Sequence, residues 1–221
     1  MKVPMKLYSY WRSSAAYRVR IALAMKQVPY EYQTVSLIAH GGEHRATPFA
    51  RKNPQKLVPL LELEDGRYIT QSLAIIEYLD EVAPTPRLLP DDPYTRAQAR
   101  AIALAVACEI HPLNNLRVLR FLEDSCHLAE PERTSWYRHW ITEGFGAIEQ
   151  MIGRYQGPFA LGDTVSIADL CLVPQVYNAL RFNIPLDSFP RIREVYEACI
   201  RLPAFQAAAP ELQPDAPKTS A

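Results

Sequence analysis

The sequence predicts an α/β domain followed by an all-helical domain. Three observations carry this prediction. Residues 1–82 alternate between strand-like and helix-like patterns, a proline-rich segment follows, and from residue 94 onwards apolar residues recur only at helical spacing. A chain of 221 residues can bury one large core or two modest ones, so the change of pattern favours two domains.

The first domain has the element order of a mixed sheet with helices. Asp65-Gly66 is a strong hairpin signal between two short strand-like runs. The order βαβ followed by ββα is that of a thioredoxin-like domain, which we predict for residues 1–85. The strands and helices are predicted at residues 6–10, 15–26, 30–35, 59–63, 67–70 and 73–82.

Residues 83–93 are too rich in proline for a helix or an inner strand, so they are interpreted as a linker between the domains. We predict a helical domain over residues 93–212 and a disordered tail from Gln213. Its helices are predicted at residues 94–123, 132–155, 167–182 and 191–200.

One helix start is specified by local sequence. Ser166 can cap the amide of Asp169, whose carboxylate can reach back to Ser166, as in a capping box. Val165 and Leu170 occupy the hydrophobic-staple positions. We therefore expect structural roles for Ser166 and Asp169.

Composition indicates neither a nucleic-acid nor a membrane partner. The 24 Lys and Arg residues balance the 24 Asp and Glu residues, so there is no long-range attraction to polyanions. The most apolar run, residues 101–108, is too short to span a bilayer, and residues 1–14 lack the apolar core of a signal peptide. We expect a cytoplasmic protein.

The four cysteines are scattered, without a CxxC pair or histidines at metal-ligand spacing. This spacing predicts neither a metal site nor a disulfide framework. Because free cysteine behaves mainly as a small apolar residue, we expect buried thiols at all four positions. They are Cys108, Cys126, Cys171 and Cys199.

The start of the first helix carries Arg12, Ser13 and Ser14. With no cysteine there, a serine hydroxyl could stabilise the thiolate of a ligand. Lowering a thiol pKa from about 8.5 to about 6.5 needs roughly 2.7 kcal/mol. A hydrogen bond to a charged group gives about 1.5–3 kcal/mol and a helix N-terminus about 0.3–1 kcal/mol, which nearly suffices. Either serine could instead be the helix N-cap.

Two further segments of this domain suit an extended ligand. Val58-Pro59 precedes a predicted strand, where a cis proline would expose the Val58 backbone to an extended peptide. Ser72, after Gln71, is the predicted N-cap of the next helix, whose start could hold a carboxylate. A ligand with a thiol, a peptide backbone and a free carboxylate would match all three places.

Six segments carry recognisable motifs. They are residues 8–23 (YSYWRSSAAYRVRIAL), 71–79 (QSLAIIEYL), 111–115 (HPLNN), 162–164 (GDT), 168–176 (ADLCLVPQV) and 181–182 (RF). Together they resemble the zeta class of cytosolic glutathione transferases, and only the extreme N-terminus and the tail fall outside the match. The resemblance implies the cytosolic glutathione transferase fold, glutathione as cofactor and a homodimer.

The resemblance also implies a role for each candidate site residue. Ser14 would be the catalytic residue that stabilises the glutathione thiolate. Gln71 and Ser72 would hold the γ-glutamyl end, and Val58 would pair with the cysteinyl backbone. The full implied glutathione-binding set is Ser13, Ser14, His44, Val58, Gln71, Ser72, His111 and Asn115.

The implied activity is glutathione-dependent cis–trans isomerisation of maleylacetoacetate, a small dicarboxylate, to fumarylacetoacetate. Arg12 and Arg181 would bind its carboxylates, a role that suits the planar guanidinium. Three alternatives stay open: isomerisation of maleylpyruvate, a general zeta-class transferase activity, and a non-enzymatic protein with this fold. Many members of the class carry a cysteine where this chain has Ala15. Since glutathione supplies the thiolate, we expect that loss to be tolerated.

Overall fold

The structure, a computed structural model, describes residues 4–218. It contains two compact units: the first comprises the chain up to Leu88 and again from Leu202 on, and the second is Leu89–Arg201. The strands are β1 (Met5–Ser9), β2 (Tyr30–Thr34), β3 (Leu60–Glu62) and β4 (Tyr68–Thr70). The α-helices are α1 (Ser14–Met25), α2 (Thr47–Lys52), α3 (Ser72–Val82), α4 (Pro93–Leu104), α5 (Leu116–Asp124), α6 (Glu130–Ile152), α7 (Ile167–Arg181), α8 (Pro190–Cys199) and α9 (Pro203–Ala207).

The first unit is built on a mixed sheet with the strand order β2-β1-β3-β4. β1 runs parallel to β2 and antiparallel to β3, and β3 forms with β4 the hairpin predicted at Asp65-Gly66. Helix α1 packs against α3, and Leu7, Val19 and Ile76, from β1, α1 and α3, are fully buried. These features confirm the predicted thioredoxin-like fold.

The second unit is helical, as predicted. Helix α7 packs against both α4 and α8. Every residue from 167 to 176 is buried, so apolar side chains on all sides of α7 contribute to the core of this unit. The sequence of α7 therefore specifies a central helix.

The prediction of one continuous helix over residues 94–123 is wrong. Helix α4 ends at Leu104, a π-helical turn follows at Ala105–Ile110, and α5 begins only after a further turn. Pro112 in that turn has no amide hydrogen for a helical hydrogen bond. The Asn115 side chain then caps the new helix by accepting a hydrogen bond from a backbone amide of its first turn.

The C-terminal part of the described chain differs most from expectation. Residues 93–212 are predicted to form the helical domain, but the chain from Leu202 on belongs to the first unit, where α9 packs against α1. Gln213 is buried, and its side chain donates hydrogen bonds of 2.8 and 3.2 Å to carbonyl groups at and just beyond the end of α9. The expected disorder is therefore wrong for residues 213–216, where Asp215 and Ala216 also form hydrogen bonds; residues 219–221 lie outside the described chain.

The capping box at the start of α7 is confirmed. The backbone N–H and hydroxyl of Ser166 donate to Asp169 Oδ2 at 2.8 and 3.1 Å, and Ala160 N–H donates to Asp169 Oδ1 at 2.8 Å. Burial raises the pKa of the Asp169 carboxyl, while these hydrogen bonds oppose the rise. The residue therefore ties the segment before α7 to the helix start.

The cysteine prediction is half right. Cys171 and Cys199 are buried, but Cys108 and Cys126 are exposed. Both exposed thiols lie where helices end, one in the π-helical turn and one just after α5, so neither faces a core. Within residues 4–218, none of the helices combines the length and the apolar character needed to cross a membrane.

Candidate functional site

Three predicted site segments meet at one edge of the sheet in the first unit. Leu60, the first residue of β3, lies opposite Tyr8 near the end of β1 and opposite Thr70 at the end of β4. The chain that leaves β1, the chain that enters β3 and the chain that leaves β4 therefore share this edge. They carry Ser14, Val58 and Gln71 respectively, so strand register brings together residues that are far apart in sequence.

The paired serines have different structural roles. Ser13 is the N-cap of α1, with φ −69° and ψ 115°, and its Oγ accepts a hydrogen bond of 3.2 Å from Ala16 N–H. Ser14 is the first helical residue and is 5% exposed. The capping role that the sequence allows for either serine thus falls to Ser13.

The Val58-Pro59 peptide bond is cis. The side-chain amide of the buried Asn53 fixes the loop before it. Asn53 is 1% exposed; its Nδ2 donates to Leu57 O at 2.7 Å, and its Oδ1 accepts from Gln55 N–H at 3.0 Å. Sequence reasoning missed Asn53. Its signal is weak, because a single asparagine after a short helix is also common in exposed turns.

Gln71 occupies an unusual backbone conformation, with φ 69° and ψ 119°. Non-glycine residues with positive φ are uncommon, and they persist where the surrounding structure holds them, often at ligand sites. The Gln71 Nε2 donates to Gln55 Oε1 at 2.9 Å. The predicted N-cap Ser72 is wrong: Gln71 holds the N-cap position without a side-chain cap bond, and Ser72 is the first residue of α3.

Arg18 connects α1 to the start of α3. It is 1% exposed, and its Nη1 donates to Ser72 Oγ at 3.2 Å. Because the Ser72 oxygen accepts this bond, the Ser72 hydroxyl keeps its own proton for another acceptor. The guanidinium charge and the N–H groups at the start of α3 both favour an anion beside Ser72. Sequence reasoning missed Arg18, although an arginine amid the apolar residues of α1 was an available signal.

Arg12 and His44 occupy two other loops of the first unit. Arg12 lies in the turn after β1, is half-buried, and has its guanidinium carbon 5.5 Å from the centroid of the Trp11 ring. His44 is buried in a short 3₁₀ turn, Glu43–Arg45, between β2 and α2. Gly42 has φ 104°, and a Cβ atom there would lie 2.4 Å from His44 Cε1 and 3.1 Å from Leu37 O, so any other residue at this position would be strained beside the imidazole.

The remaining predicted residues lie in the second unit. Asn115 Nδ2 is 3.4 Å from His111 Nε2, so the structure brings these two together at the turn before α5. Arg181 is the last residue of α7, and its guanidinium carbon lies 4.9 Å from the centroid of the Phe182 ring. That ring in turn stacks on Tyr137 with a centroid distance of 3.8 Å.

Comparison with known proteins gives full-length matches. A sequence model of the glutathione S-transferase N-terminal domain matches residues 3–81. The probable maleylacetoacetate isomerase of Vibrio cholerae serotype O1 is 49% identical over 210 residues, which cover 95% of this chain and 97% of that protein. A holo structure of maleyl pyruvate isomerase, a bacterial zeta-class glutathione S-transferase, superposes with a TM-score of 0.92 at 45% identity, covering 96% of this chain and all of that one.

A second solved structure carries ligands. It is the maleylacetoacetate isomerase of Anaeromyxobacter dehalogenans 2CP-1 with dicarboxyethyl glutathione and citrate in its active site. It has a TM-score of 0.85 and 43% identity, and the match covers 97% of this chain and 98% of that one. On the identity and coverage of these matches, the chain belongs to the glutathione transferase family, in the zeta class that includes maleylacetoacetate and maleylpyruvate isomerases.

Proposed function

We propose that this protein is a maleylacetoacetate isomerase that uses glutathione as its cofactor and converts maleylacetoacetate to fumarylacetoacetate. The observation that carries the proposal is the sheet edge shared by Ser14, Val58 and Gln71-Ser72 in a zeta-class chain. The names of the relatives support the same reaction.

The residues at this edge fit the three functional parts of glutathione. The γ-glutamyl carboxylate would lie beside Ser72, where the start of α3 and the buried Arg18 provide positive potential. The Val58 backbone would pair with the cysteinyl peptide group, since it precedes a strand start. The thiol would lie at the N-terminus of α1, beside Ser14.

When bound, glutathione supplies a thiolate that adds reversibly to the cis double bond, which allows rotation before elimination restores a trans double bond. The Ser14 hydroxyl would donate a hydrogen bond to the sulfur and so favour the thiolate over the thiol. The Ser13 Oγ accepts a hydrogen bond from Ala16 N–H, so Ser13 orients the helix start on which Ser14 sits. Ser13, His44, His111 and Asn115 stay proposed glutathione contacts.

Replacing Ser14 with alanine is the direct test of this role. We expect the thiol pKa of bound glutathione to rise by about 1 to 2, because a hydrogen bond to a charged group contributes about 1.5–3 kcal/mol. Turnover near neutral pH should fall about tenfold to a hundredfold, with a smaller change in glutathione affinity. Ultraviolet titration of the bound thiolate and steady-state kinetics measure both.

Ser13→Ala is the matched control, since it removes an adjacent hydroxyl that caps the helix. It should cost about 1 kcal/mol of stability and raise the thiol pKa less than Ser14→Ala does, because it removes the helix cap and keeps the Ser14 hydroxyl. A Ser14→Ala enzyme with unchanged turnover would remove Ser14 from the mechanism. A wild-type protein that shows no calorimetric signal with millimolar glutathione would favour a non-enzymatic role.

Maleylpyruvate is the second candidate substrate, and the similarity to a maleyl pyruvate isomerase favours it specifically. It carries the same carboxylates and needs the same thiolate, so the site residues do not separate the two compounds. Side-by-side kinetics do: we expect the higher kcat/KM with maleylacetoacetate. A preference for maleylpyruvate would overturn the choice of substrate and leave the reaction class intact.

Assembly and location are also part of the proposal. The zeta-class resemblance implies a homodimer, and the sequence features described above favour a cytoplasmic protein without nucleic-acid or membrane partners. Analytical ultracentrifugation at several protein concentrations would test the dimer, because a monomer at all concentrations contradicts it.

A further inference from the structure

A buried arginine binds backbone carbonyl groups of the turn that joins β1 to α1. Arg20, on α1, is 1% exposed and directs its guanidinium at the backbone of this turn. Its Nη2 donates to Trp11 O at 3.0 Å and its Nη1 to Tyr10 O at 3.5 Å. Its Nε donates to Ala208 O at 3.1 Å, so the same side chain also binds the C-terminal segment.

Asp215 binds the backbone N–H of the same residue, Trp11. Its Oδ2 accepts a hydrogen bond from Trp11 N–H at 3.0 Å, and its Oδ1 accepts from the Tyr32 hydroxyl at 2.6 Å. The backbone N–H and C=O of Trp11 are therefore both fixed by side chains, one from the C-terminal segment and one from α1. Tyr32 connects the same carboxylate to β2.

The C-terminal segment has its own anchors, so Asp215 is presented from a fixed backbone. Helix α9 packs against α1, and the Tyr17 hydroxyl donates to Phe205 O at 3.4 Å. Gln213, two residues before Asp215, is buried and binds two carbonyl groups. The order of this segment therefore has a physical cause that is independent of the turn it contacts.

The turn itself leads directly to the proposed catalytic hydroxyl. Ser13 N–H donates to Tyr10 O at 2.9 Å, which closes the turn that places Ser14 at the start of α1. A hydrogen bond to a thiolate weakens steeply when its geometry is lost, so small shifts of this turn change thiolate stabilisation. Burial and the bond to Asp215 raise the pKa of Tyr32, so its hydroxyl stays a proton donor to the carboxylate.

We propose that Asp215 is a positioning residue for the thiolate site: by fixing Trp11, it holds the turn that places Ser14 at the start of α1. The C-terminal segment that carries Asp215 is therefore needed for full activity of this site. This inference rests on the proposed function of Ser14. It concerns the first unit alone.

Asp215→Ala tests the inference. We expect the thiol pKa of bound glutathione to rise and turnover near neutral pH to fall about threefold to tenfold, because the turn that places Ser14 loses the acceptor that fixes Trp11 N–H. The KM for glutathione should change less than about threefold. Asp215→Asn keeps one acceptor oxygen for Trp11 N–H, so it should give a smaller effect and guards against misfolding of the alanine variant.

Asp80→Asn is the control for general destabilisation. Asp80 lies in the first unit, accepts a hydrogen bond from Leu88 N–H and pairs with Lys26 just after the C-terminal end of α1, whereas the turn at residues 10–13 precedes the N-terminal end of that helix. We expect Asp80→Asn to lower the melting temperature without shifting the thiol pKa. An Asp215 variant that loses stability in the same way, with an unchanged thiol pKa and turnover, would show a structural role and overturn the inference.

Hydrogen exchange of the Trp11 amide separates this inference from the proposed function, because it is measured without glutathione. Asp215→Ala should speed exchange at Trp11 relative to wild type and to Asp80→Asn, and unchanged exchange would overturn the inference. Lack of glutathione binding by the wild-type protein would instead refute the proposed function, and with it the role of Asp215 toward a thiolate.

Discussion

Replacing Arg12 or Arg181 with methionine is expected to lower kcat/KM for maleylacetoacetate at least about tenfold. Arg12 is half-buried and Arg181 is exposed, so the prediction requires that bound substrate excludes water from both guanidinium groups. Truncating one partner of such a desolvated, charge-assisted arginine–carboxylate pair costs about 2–5 kcal/mol. At about 1.4 kcal/mol per factor of ten, even the lower figure exceeds tenfold. Methionine keeps an unbranched apolar stem of similar reach, so it can retain contact with the Trp11 and Phe182 rings that flank the two guanidinium groups.

An uncharged electrophile provides the internal control for both arginine variants. Its conjugation needs the same glutathione thiolate but offers no carboxylate, so its kcat/KM should change less than about threefold. Parallel steady-state kinetics on the two substrates measure the contrast. Equal losses on both would mean that the arginines support the fold or the glutathione site, and the dicarboxylate assignment would lose its main physical support.

Among the substitutions proposed here, Asp80→Ala is expected to cause the largest loss in the free energy of unfolding. Lys26 Nζ lies 2.7 Å from Asp80 Oδ1, and the two side chains are 0% and 4% exposed. The ammonium group also donates to Ala83 O and Pro86 O at 2.6 and 2.7 Å, so its three hydrogens all have acceptors. Removing Asp80 leaves a buried charge uncompensated, which typically costs about 3–5 kcal/mol. The protection of α1 amides against hydrogen exchange measures this loss.

The exposed ion pair of the hairpin is a control, because its nitrogen–oxygen distance equals that of the Lys26–Asp80 pair. Arg67 Nε lies 2.7 Å from Asp65 Oδ2, but these side chains are 77% and 51% exposed. Since water already solvates both charges, Asp65→Ala should leave α1 protection close to wild type. Comparable losses in both variants would contradict the claim that burial makes the Lys26–Asp80 pair matter. The pair also explains why the first unit extends to Leu88, past the predicted boundary at residue 85.

Local signals in the sequence determined much of the fold. The hairpin at Asp65-Gly66 depends on a glycine that reaches φ 84° without strain. The capping box of Ser166 and Asp169 spans one helical turn, so its partners are neighbours in the chain. Both were predictable because the groups that interact are close in sequence, and the order of strands and helices follows from the same kind of periodicity.

The sequence also identified the candidate segments at Ser14, Val58 and Gln71, but only the tertiary structure decided how they are held. Whether Ser13 or Ser14 caps α1 depends on backbone dihedrals, and the Ser72 hydroxyl meets Arg18 across 54 positions of sequence. Asp215 meets Trp11 across 204 positions, in a tail whose prolines suggested disorder. Composition and periodicity report on neighbours in the chain, whereas these contacts form only when strand register and helix packing bring distant segments together.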